Sequence, residues 1–230
     1  MKGLRILIAD DHEVVRHGLR SLLQGHEGWE VCGEAADGRE GLDKARQLKP
    51  DVVILDIGMP NLNGLEAARQ ILHEEPRTGV LILTIDESEQ LMREVLEAGA
   101  RGFLLKSDAA RDLVAAVEAL QNHRTFFTSR VADLVLNGYL NGKTHTLPEV
   151  PRNRLTQRER EVVQLLAEGK STKEVATVLG MSVKTAETHR SNIMRKLDLH
   201  SVSQLVLYAV RNNIVQVAVP AESISDRHSA

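Results

Sequence analysis

Apolar positions in the first half of the chain follow two alternating spacings. Continuous apolar runs of strand length, rich in Val and Ile, lie at 6–9, 52–55 and 80–83, and weaker runs lie near Val31 and at 103–105. Between these runs apolar residues repeat at helical spacing, as in Leu65, Ala68, Ile71 and Leu72, then Leu91, Met92, Val95 and Leu96, then Leu113, Val114, Val117 and Leu120. Five strands alternating with five helices predict an α/β fold with a doubly wound parallel sheet.

The last third of the chain has no strand-like run and contains four helical segments. They lie near 156–167, 171–179, 182–197 and 202–212. Residues suited to capping stand at each start: Thr156 with Glu159, Ser171 with Glu174 and Ser201 with Gln204 fit a capping box, and Ser182 fits a single N-cap. These features predict a small all-α domain of four helices.

Domain boundaries follow from the same patterns. The region between the two patterned halves is rich in Asn, Gly and Pro, and the chain after Val219 is polar. We predict a first domain over 1–122, a linker over 123–153, a second domain over 154–216 and a disordered tail over 217–230.

Charge divides the chain along the same line. The whole sequence is almost neutral, with 29 Lys and Arg against 32 Asp and Glu. Residues 1–125 carry a net charge of −7, whereas residues 152–213 carry +5. A basic excess of this size suits a phosphate backbone, although two domains that merely differ in surface composition would show the same split.

Composition excludes several classes of protein. A single cysteine, Cys32, excludes a disulfide framework and a zinc site built from several thiolates. Aromatic residues make up only 3% of the chain, which argues against a surface that stacks unpaired bases and favours duplex DNA as the nucleic-acid partner. The N-terminus does not resemble a signal peptide and no segment is long and apolar enough for a membrane span, so we expect a cytoplasmic protein without a membrane partner.

Charged and polar residues follow the ends of the predicted strands. Asp10 and Asp11 follow the first strand, Asp56 the third, Thr84 the fourth and Lys106 the fifth. Carboxylates at one sheet edge repel one another and need a cation, and hard oxygen ligands favour Mg²⁺. Asp56 would then attack a phosphoryl group, Lys106 would neutralise its charge and Thr84 would hydrogen-bond one of its oxygens.

This constellation resembles the receiver domain of bacterial two-component response regulators, which has a flavodoxin-like fold. The matching segments are Asp10 with Asp11, LDIGMPNLNG around Asp56, LILT ending at Thr84 and GFLLK ending at Lys106. The resemblance implies that Asp56 accepts phosphate from a sensor histidine kinase. It also implies that Asp11, Asp56 and the Gly58 carbonyl ligate Mg²⁺, that Asp10 assists through water, and that Phe103 is a switch residue.

The resemblance also bears on the lifetime of the phosphate. In such domains, the residues two positions after the phosphorylated Asp and two positions after the Thr modulate dephosphorylation. These residues are Gly58 and Asp86 here. Because glycine offers no side chain to position water, we expect a phosphate lifetime that is not especially short.

The second domain contains a predicted helix-turn-helix. The segments 171–179 and 182–197 are joined by Gly180 and Met181, a short turn of the type that sets two helices at a steep angle. The second segment would be the recognition helix in the major groove of DNA. Its predicted buried stripe is Ala186, Ile193 and Leu197.

Residues 155–200 are similar to the LuxR-type helix-turn-helix, so that the whole chain resembles the NarL/FixJ family of response regulators. The resemblance implies base contacts from Glu187, Thr188 and Ser191, and phosphate contacts from Lys184, Thr185, Arg190, Arg195 and Lys196. Many members have a basic residue where this chain has Glu187. A carboxylate repels phosphate but accepts a hydrogen bond from cytosine N4, so we expect Glu187 to contribute specificity rather than affinity.

The last predicted helix carries apolar residues with two candidate uses. In this family the equivalent helix pairs two DNA-binding domains on a two-fold site, which implies a dimer surface at Leu205, Val206 and Ala209. Packing against the first helix of the domain is the alternative. We expect a homodimer on activation, with RNA polymerase as a further candidate partner at promoters.

The leading hypothesis is a transcription regulator rather than an enzyme, with only self-catalysed phosphotransfer and dephosphorylation at Asp56. The acidic first domain would cover the basic second domain until Asp56 is phosphorylated. One alternative is a DNA-binding regulator that works without phosphorylation and uses its receiver to dimerise. A phosphatase of the haloacid dehalogenase class is disfavoured, because Gly58 stands where that class has a second Asp.

Overall fold

The computed structural model describes residues 3–127 and 155–216. Its first domain contains a five-stranded parallel sheet in the order β2-β1-β3-β4-β5. The strands are β1 (Leu4–Ala9), β2 (Trp29–Ala35), β3 (Val52–Asp56), β4 (Gly79–Thr84) and β5 (Gly102–Leu105). This architecture confirms the predicted doubly wound sheet. The strand order reverses between β1 and β3, and open α/β sheets bind their ligands at such a point.

Helices cover both faces of the sheet. They are α1 (Glu13–Gln24), α2 (Gly38–Leu48), α3 (Gly64–Glu74), α4 (Glu89–Glu97) and α5 (Ala109–Gln121), and a short 3-10 turn, Lys106–Asp108, precedes α5. One apolar cluster packs α2, α3 and α4 against one face, and a second packs α1 and α5 against the other. Because both faces are covered, the central strands are buried along their length and their sequences are continuous apolar runs.

The chain continues along the edge of the sheet after α5. Phe126 forms a parallel bridge with Gly102, in which Phe103 N donates to Phe126 O at 2.9 Å and Phe126 N donates to Arg101 O at 2.9 Å. The first residues of the predicted linker therefore pair with the receiver sheet. The rest of that linker, 128–153, and the predicted tail, 217–230, lie outside the described residues.

The second domain consists of four helices around its own apolar core. They are α6 (Gln157–Ala167), α7 (Thr172–Val178), α8 (Val183–Lys196) and α9 (Val202–Arg211). Gly180 turns the chain between α7 and α8 with φ +61°, a backbone conformation that glycine adopts without strain. Ala186 and Ile193 of α8 are completely buried, as the predicted stripe requires, and Leu197 is partly buried. The four helices confirm the predicted all-α domain.

Capping fixes the starts of these helices, with one difference from the sequence prediction. Thr156 with Glu159 and Ser171 with Glu174 form complete capping boxes, and Ser182 accepts a hydrogen bond from Thr185 N. Ser201 caps α9, but Gln204 Oε1 accepts from His200 N at 2.6 Å. The capping box predicted for α9 is therefore wrong in its reciprocal bond: Ser201 has a φ of −146°, against −65° and −67° at the N-caps of the two complete boxes, and Gln204 bonds the preceding N–H instead.

Hydrogen bonds join the second domain to the loop that follows β3. Asn63 N donates to Gln164 Oε1 at 2.8 Å, and Gln164 Nε2 donates to Met59 O at 3.1 Å. Asn61 N donates to Glu168 Oε1 at 3.1 Å, and Asn63 Nδ2 donates to the Ile214 carbonyl at 3.0 Å. The loop between β3 and α3 therefore packs against α6 and the segment after α9.

Two buried ion pairs extend this contact from the loop to α2 and α3. Glu161 of α6 is 3% exposed and lies 3.1 Å from Arg39 Nη2 of α2. Glu66 of α3 is 2% exposed and lies 2.7 Å from Arg160 Nε of α6. Each domain thus supplies a buried carboxylate and a guanidinium to the other. Removal of one guanidinium would destabilise the interface strongly, because it would leave a buried carboxylate without its partner.

Candidate functional site

The strand-end residues converge at the carboxyl edge of the sheet. Asp10 follows β1, Asp56 ends β3 and Lys106 follows β5, and parallel strands bring all three to one edge. Lys106 Nζ lies 2.8 Å from Asp10 Oδ2 and 3.1 Å from Asp56 Oδ1. Asp10 and Thr84 are completely buried and Asp56 is 5% exposed. Asp11 is more exposed and borders the same cluster.

Burial and charge make the Asp56 carboxylate unusually basic. Burial, opposed by Lys106 and reinforced by Asp10, raises the pKa of Asp56 to about 6. Burial by itself would lower the pKa of Lys106, but contacts with Asp10 and Asp56 outweigh burial and raise it. Lys106 is therefore a fixed positive charge among these carboxylates. Burial and the charges of Asp10 and Asp11 disfavour the ionised form of Asp56.

The donor set of the pocket fits a hard divalent cation. Ligand atoms of Asp10, Asp11, His12 and Asp56 all lie within 4.8 Å of one another. Asp10 Oδ2 is buried, and Lys106 Nζ lies 2.8 Å from it. Because Asp10 and Asp56 share this one ammonium group and Asp11 borders them, the oxygens of all three suit coordination of a divalent cation directly or through water. This acidic cluster is typical of Mg²⁺ binding.

Glycine shapes the loop after Asp56. A Cβ built on Gly64 would lie 2.0 Å from the Asp56 carbonyl oxygen, so any side chain there would push the loop away from β3. Gly58 faces the pocket, and a Cβ built on it would lie 3.6 Å from Asp56 Oδ2. Gly58 is thus part of the short segment that borders Asp56.

Thr84, Asp86 and Phe103 of the first domain lie at or near the carboxyl ends of β4 and β5. Thr84 ends β4, and its Oγ1 accepts a hydrogen bond from Asp86 N at 3.1 Å. Asp86 itself caps the following segment through Ser88, which donates its N at 2.8 Å and its Oγ at 3.0 Å. Phe103 is 1% exposed and packs inside the core. The role of Phe103 as a switch residue stays a prediction.

The recognition helix α8 presents its polar side chains outward. Seven of the eight predicted DNA-contacting residues are exposed: Lys184, Thr185, Glu187, Thr188, Arg190, Ser191 and Arg195. Lys196 is different, because its Nζ lies 2.6 Å from Glu159 Oε2 of α6. The phosphate contact of Lys196 stays a prediction, and on DNA it would compete with this ion pair inside the domain.

Comparisons with known proteins match both halves of the chain to families. Residues 6–118 match the response regulator receiver domain, and residues 153–209 match the LuxR family of bacterial regulatory proteins. The transcriptional regulatory protein LiaR of Bacillus subtilis is 38% identical over 212 residues, which cover 92% of this chain and 99% of LiaR. The chain belongs to the NarL/FixJ family of response regulators.

Two further matches come from sequence and structure. The oxygen regulatory protein NreC of Staphylococcus carnosus is 37% identical to the regulator over 92% of this chain and 99% of NreC. The structure of RcsB from Salmonella enterica serovar Typhimurium, bound to a promoter in the presence of the phosphomimetic BeF₃⁻, aligns with a TM-score of 0.55 at 29% identity. That alignment covers 90% of the regulator and 98% of the RcsB chain. Within 3–127 and 155–216, the regulator has no helix that could span a membrane.

The predicted dimer surface of the regulator requires a correction. Leu205 is 1% exposed and Ala209 is completely buried, because both point from α9 into the core of the second domain. Val206 is partly exposed. The apolar side chains that α9 leaves open are Val202, at 49% exposure, and Leu207, at 55%. Of the three predicted residues, Val206 alone is open to a partner, and Val202, four positions earlier, lies on the same face of α9.

Sequence reasoning missed three groups of residues that border the sites of the regulator. His12 lies 2.7 Å from Asp11 Oδ1, and its position directly after the acidic pair was the signal available in the sequence. Gln164 and Glu161 occupy buried positions of an amphipathic helix, where polar residues indicate an interface. Gln216 contacts the loop at Gly58, and no local pattern marks it.

Proposed function

We propose that phosphorylation of Asp56 by a sensor histidine kinase, in the presence of Mg²⁺, controls dimerisation and sequence-specific binding of the regulator to two-fold sites in duplex DNA. The regulator would work in the cytoplasm and act on transcription, with RNA polymerase as a candidate partner. The convergence of Asp10, Asp56 and Lys106 at one sheet edge carries this proposal. A scaffold used only for dimerisation would not require this buried and mutually repelling set.

The pocket supports phosphoryl transfer to Asp56. Asp56 Oδ1 lies 3.1 Å from Lys106 Nζ, and Oδ2 faces Gly58. Oδ2 attacks the phosphorus of phosphohistidine, the P–N bond breaks, and the departing imidazole takes up a proton. Lys106 neutralises charge on the transferring group, and Thr84 donates its hydroxyl hydrogen to a phosphoryl oxygen.

Metal binding would use the residues that face Asp56. Asp11, Asp56 and the Gly58 carbonyl would hold Mg²⁺, and Asp10 would assist through water. When bound, Mg²⁺ would supply positive charge beside the transferring phosphoryl oxygens. Because the free pocket disfavours full ionisation of Asp56, cation binding and ionisation of this residue should favour one another.

DNA recognition would use the exposed face of α8. Its basic side chains, Lys184, Arg190 and Arg195, suit phosphate contacts that position the helix, and Glu187, Thr188 and Ser191 lie between them to read base edges. RcsB, with a similar fold, was solved on promoter DNA. That precedent supports the same activity for this regulator.

Communication between the two sites would pass through the loop after β3. The residues following Asp56 include Met59, Asn61 and Asn63, which hydrogen-bond α6 and the segment after α9. A phosphoryl group on Asp56 that repositions this loop would change the docking of the second domain. Released domains would then be free to pair on DNA.

Phosphate incorporation tests the receiver half of the proposal. Full-length protein is incubated with a small phosphodonor, with Mg²⁺ or with a chelator, and labelled protein is separated on a phosphate-affinity gel. We expect labelling of the wild type with Mg²⁺, none with chelator and none for Asp56→Asn. Asp51→Asn is the matched control, because Asp51 precedes β3 whereas Asp56 ends it.

Selection of DNA from a random pool tests the other half. Labelled wild type should enrich a two-fold sequence, and Asp56→Asn protein treated in the same way should enrich it less. Equal enrichment by both proteins would favour the alternative, in which a receiver that is never phosphorylated only dimerises. The half-site spacing of the enriched sequence would also define the dimer symmetry.

A further inference from the structure

The C-terminal end of the DNA-binding domain reaches the phosphoacceptor site. A Cβ built on Gly58 would lie 2.7 Å from Gln216 Oε1 and 3.3 Å from its Cδ, and 3.6 Å from Asp56 Oδ2. The Gln216 amide therefore fills the space that a side chain at position 58 would occupy. An amide from the second domain thus borders the reactive carboxylate of the first.

The segment before Gln216 is anchored. Ile214 is 4% exposed, its N donates to Ala209 O at 2.9 Å, and its carbonyl accepts from Asn63 Nδ2 at 3.0 Å. These bonds hold the chain between the end of α9 and the loop after β3. The position of the Gln216 side chain is therefore coupled to the docking of the second domain.

Asp86, the other residue that the family resemblance relates to dephosphorylation, uses its carboxylate elsewhere. Position 58 is glycine and offers no side chain, and both carboxylate oxygens of Asp86 accept hydrogen bonds from Ser88. Near Asp56 Oδ2, Gln216 thus brings a polar side chain into the space left by Gly58. In GTP-hydrolysing enzymes a glutamine amide of this kind orients the attacking water.

We propose that Gln216 orients the water that hydrolyses the phosphate on Asp56, an inference that rests on the phosphorylation proposed above. Gln216 Oε1 accepts a hydrogen bond from the water and directs a lone pair of the water oxygen at phosphorus. A new bond forms between the water oxygen and phosphorus, and the bond between phosphorus and Asp56 Oδ2 breaks. Both protons of the water remain on the phosphate. The products are the Asp56 carboxylate and dihydrogen phosphate.

Docking of the second domain would therefore shorten the lifetime of the phosphate. The expectation from Gly58 alone was a lifetime that is not especially short, and Gln216 reverses it. Separation of the domains removes Gln216 from the pocket, so an undocked regulator would keep its phosphate longer. Gln216 is a positioning residue in this scheme, since it acts through the attacking water.

The test measures phosphate loss from full-length protein. Wild type and variants are labelled with acetyl phosphate and Mg²⁺, the donor is removed by desalting, and remaining phosphoprotein is followed on a phosphate-affinity gel. We expect Gln216→Ala to slow the loss about tenfold. Gly58→Ala should slow it to the same extent, because its methyl group displaces the Gln216 amide. Asn212→Ala, which removes another amide at the end of α9, is the matched control and should behave as wild type.

Two combined variants separate water positioning from a structural role. Gly58→Ala with Gln216→Ala should lose phosphate no more slowly than either single variant, because both act on one space. Gly58→Asn with Gln216→Ala should regain faster loss, because an amide is restored beside Asp56 within the receiver. Unfolding midpoints should be equal across the set.

Several results would overturn the inference. These are loss from Gln216→Ala within twofold of wild type or faster than wild type, additive effects of the two alanine substitutions, or no recovery with Gly58→Asn. Normal labelling with unchanged loss would leave the proposed function intact and reject the role of Gln216. Absence of label in the wild type would instead reject both.

Discussion

The pocket around Asp56 and the helix α8 differ in how far their charged residues are buried. In the pocket, Asp10 and Asp56 are buried and share one cation, Lys106. On α8, Lys184 and Glu187 are exposed, and nearby polar contacts stay within the helix, such as the bond from Thr188 Oγ1 to Lys184 O at 2.9 Å. The pocket is electrostatically incomplete without a ligand, whereas the helix surface is stable in water and has no such need.

This difference predicts where function and stability conflict. Buried carboxylates that repel one another reduce the stability of the metal-free receiver. Exposed side chains on α8 have almost no such cost, because water solvates them before DNA does. Substitutions in the pocket should therefore change folding as well as chemistry, and substitutions on the outer face of α8 should change DNA binding only.

The largest expected effect is a gain in stability from Asp56→Asn. The pKa of Asp56 is about 6 in the folded protein and its ordinary value is 3.8, so the folded state favours the protonated form. The contribution of Asp56 to the free energy of unfolding is fully present below its ordinary pKa of 3.8 and is lost as pH rises through about 6. Removing the charge should stabilise the metal-free protein by about 2 kcal/mol at pH 7.5.

Denaturation with urea in a chelator measures this gain. The difference between Asp56→Asn and wild type should disappear well below pH 3.8, where Asp56 is protonated in both the folded and the unfolded protein, and should shrink at pH 7.5 when Mg²⁺ is added. Asp43→Asn, on the exposed surface of α2, should change stability by less than about 0.5 kcal/mol. A variant that is less stable than wild type at pH 7.5 would contradict the electrostatic account of the pocket.

The same contrast explains what the sequence could predict. Topology brings the carboxyl ends of β1, β3 and β5 together, so residues directly after these strands could be assigned to one site before any distance was known. Helical periodicity likewise identified the buried face of α8. Both inferences use local patterns with fixed geometric consequences.

Contacts between residues that are far apart in the sequence could not be predicted in this way. The ion pair of Lys196 with Glu159, the burial of Leu205 and Ala209, and the approach of Gln216 to Gly58 all depend on how helices pack. An apolar residue on a helix has the same local signature whether it faces a core or a partner. Only the packed structure separates these uses.

A smaller effect is expected from Glu187→Ala on the recognition helix. Glu187 is exposed, and its carboxylate suits cytosine N4 rather than phosphate. Affinity for a selected site should fall about tenfold, while affinity for a scrambled site stays the same or rises, since a repelling charge is removed. The unfolding free energy should not change.

Fluorescence anisotropy with two labelled duplexes measures this discrimination at one salt concentration. Asp198→Asn is the control, because it removes a negative charge just after α8, and Asn tolerates the φ of +53° at that position. The specificity role would be rejected if Glu187→Ala weakened binding to both duplexes by the same factor.

The smallest effect concerns whether the acidic receiver covers the DNA-binding face. The interdomain hydrogen bonds and ion pairs described above involve α6 and the segment after α9, and the predicted contact residues of α8 other than Lys196 are exposed. The net charge of −7 on residues 1–125 then acts on DNA only at a distance, where 0.15 M salt screens it beyond about 8 Å.

We therefore expect the fragment 150–230 and the unphosphorylated full chain to bind a single half-site within about threefold of each other at physiological salt. Lowering the salt should widen the gap in favour of the fragment, because the receiver then repels the duplex over a longer range. A much larger difference at physiological salt would mean that the receiver blocks α8 itself. A full chain that is equal to the fragment on a half-site but weaker on a two-fold site would instead locate the inhibition in dimerisation, where docking of α6 and the segment after α9 holds the two DNA-binding domains apart.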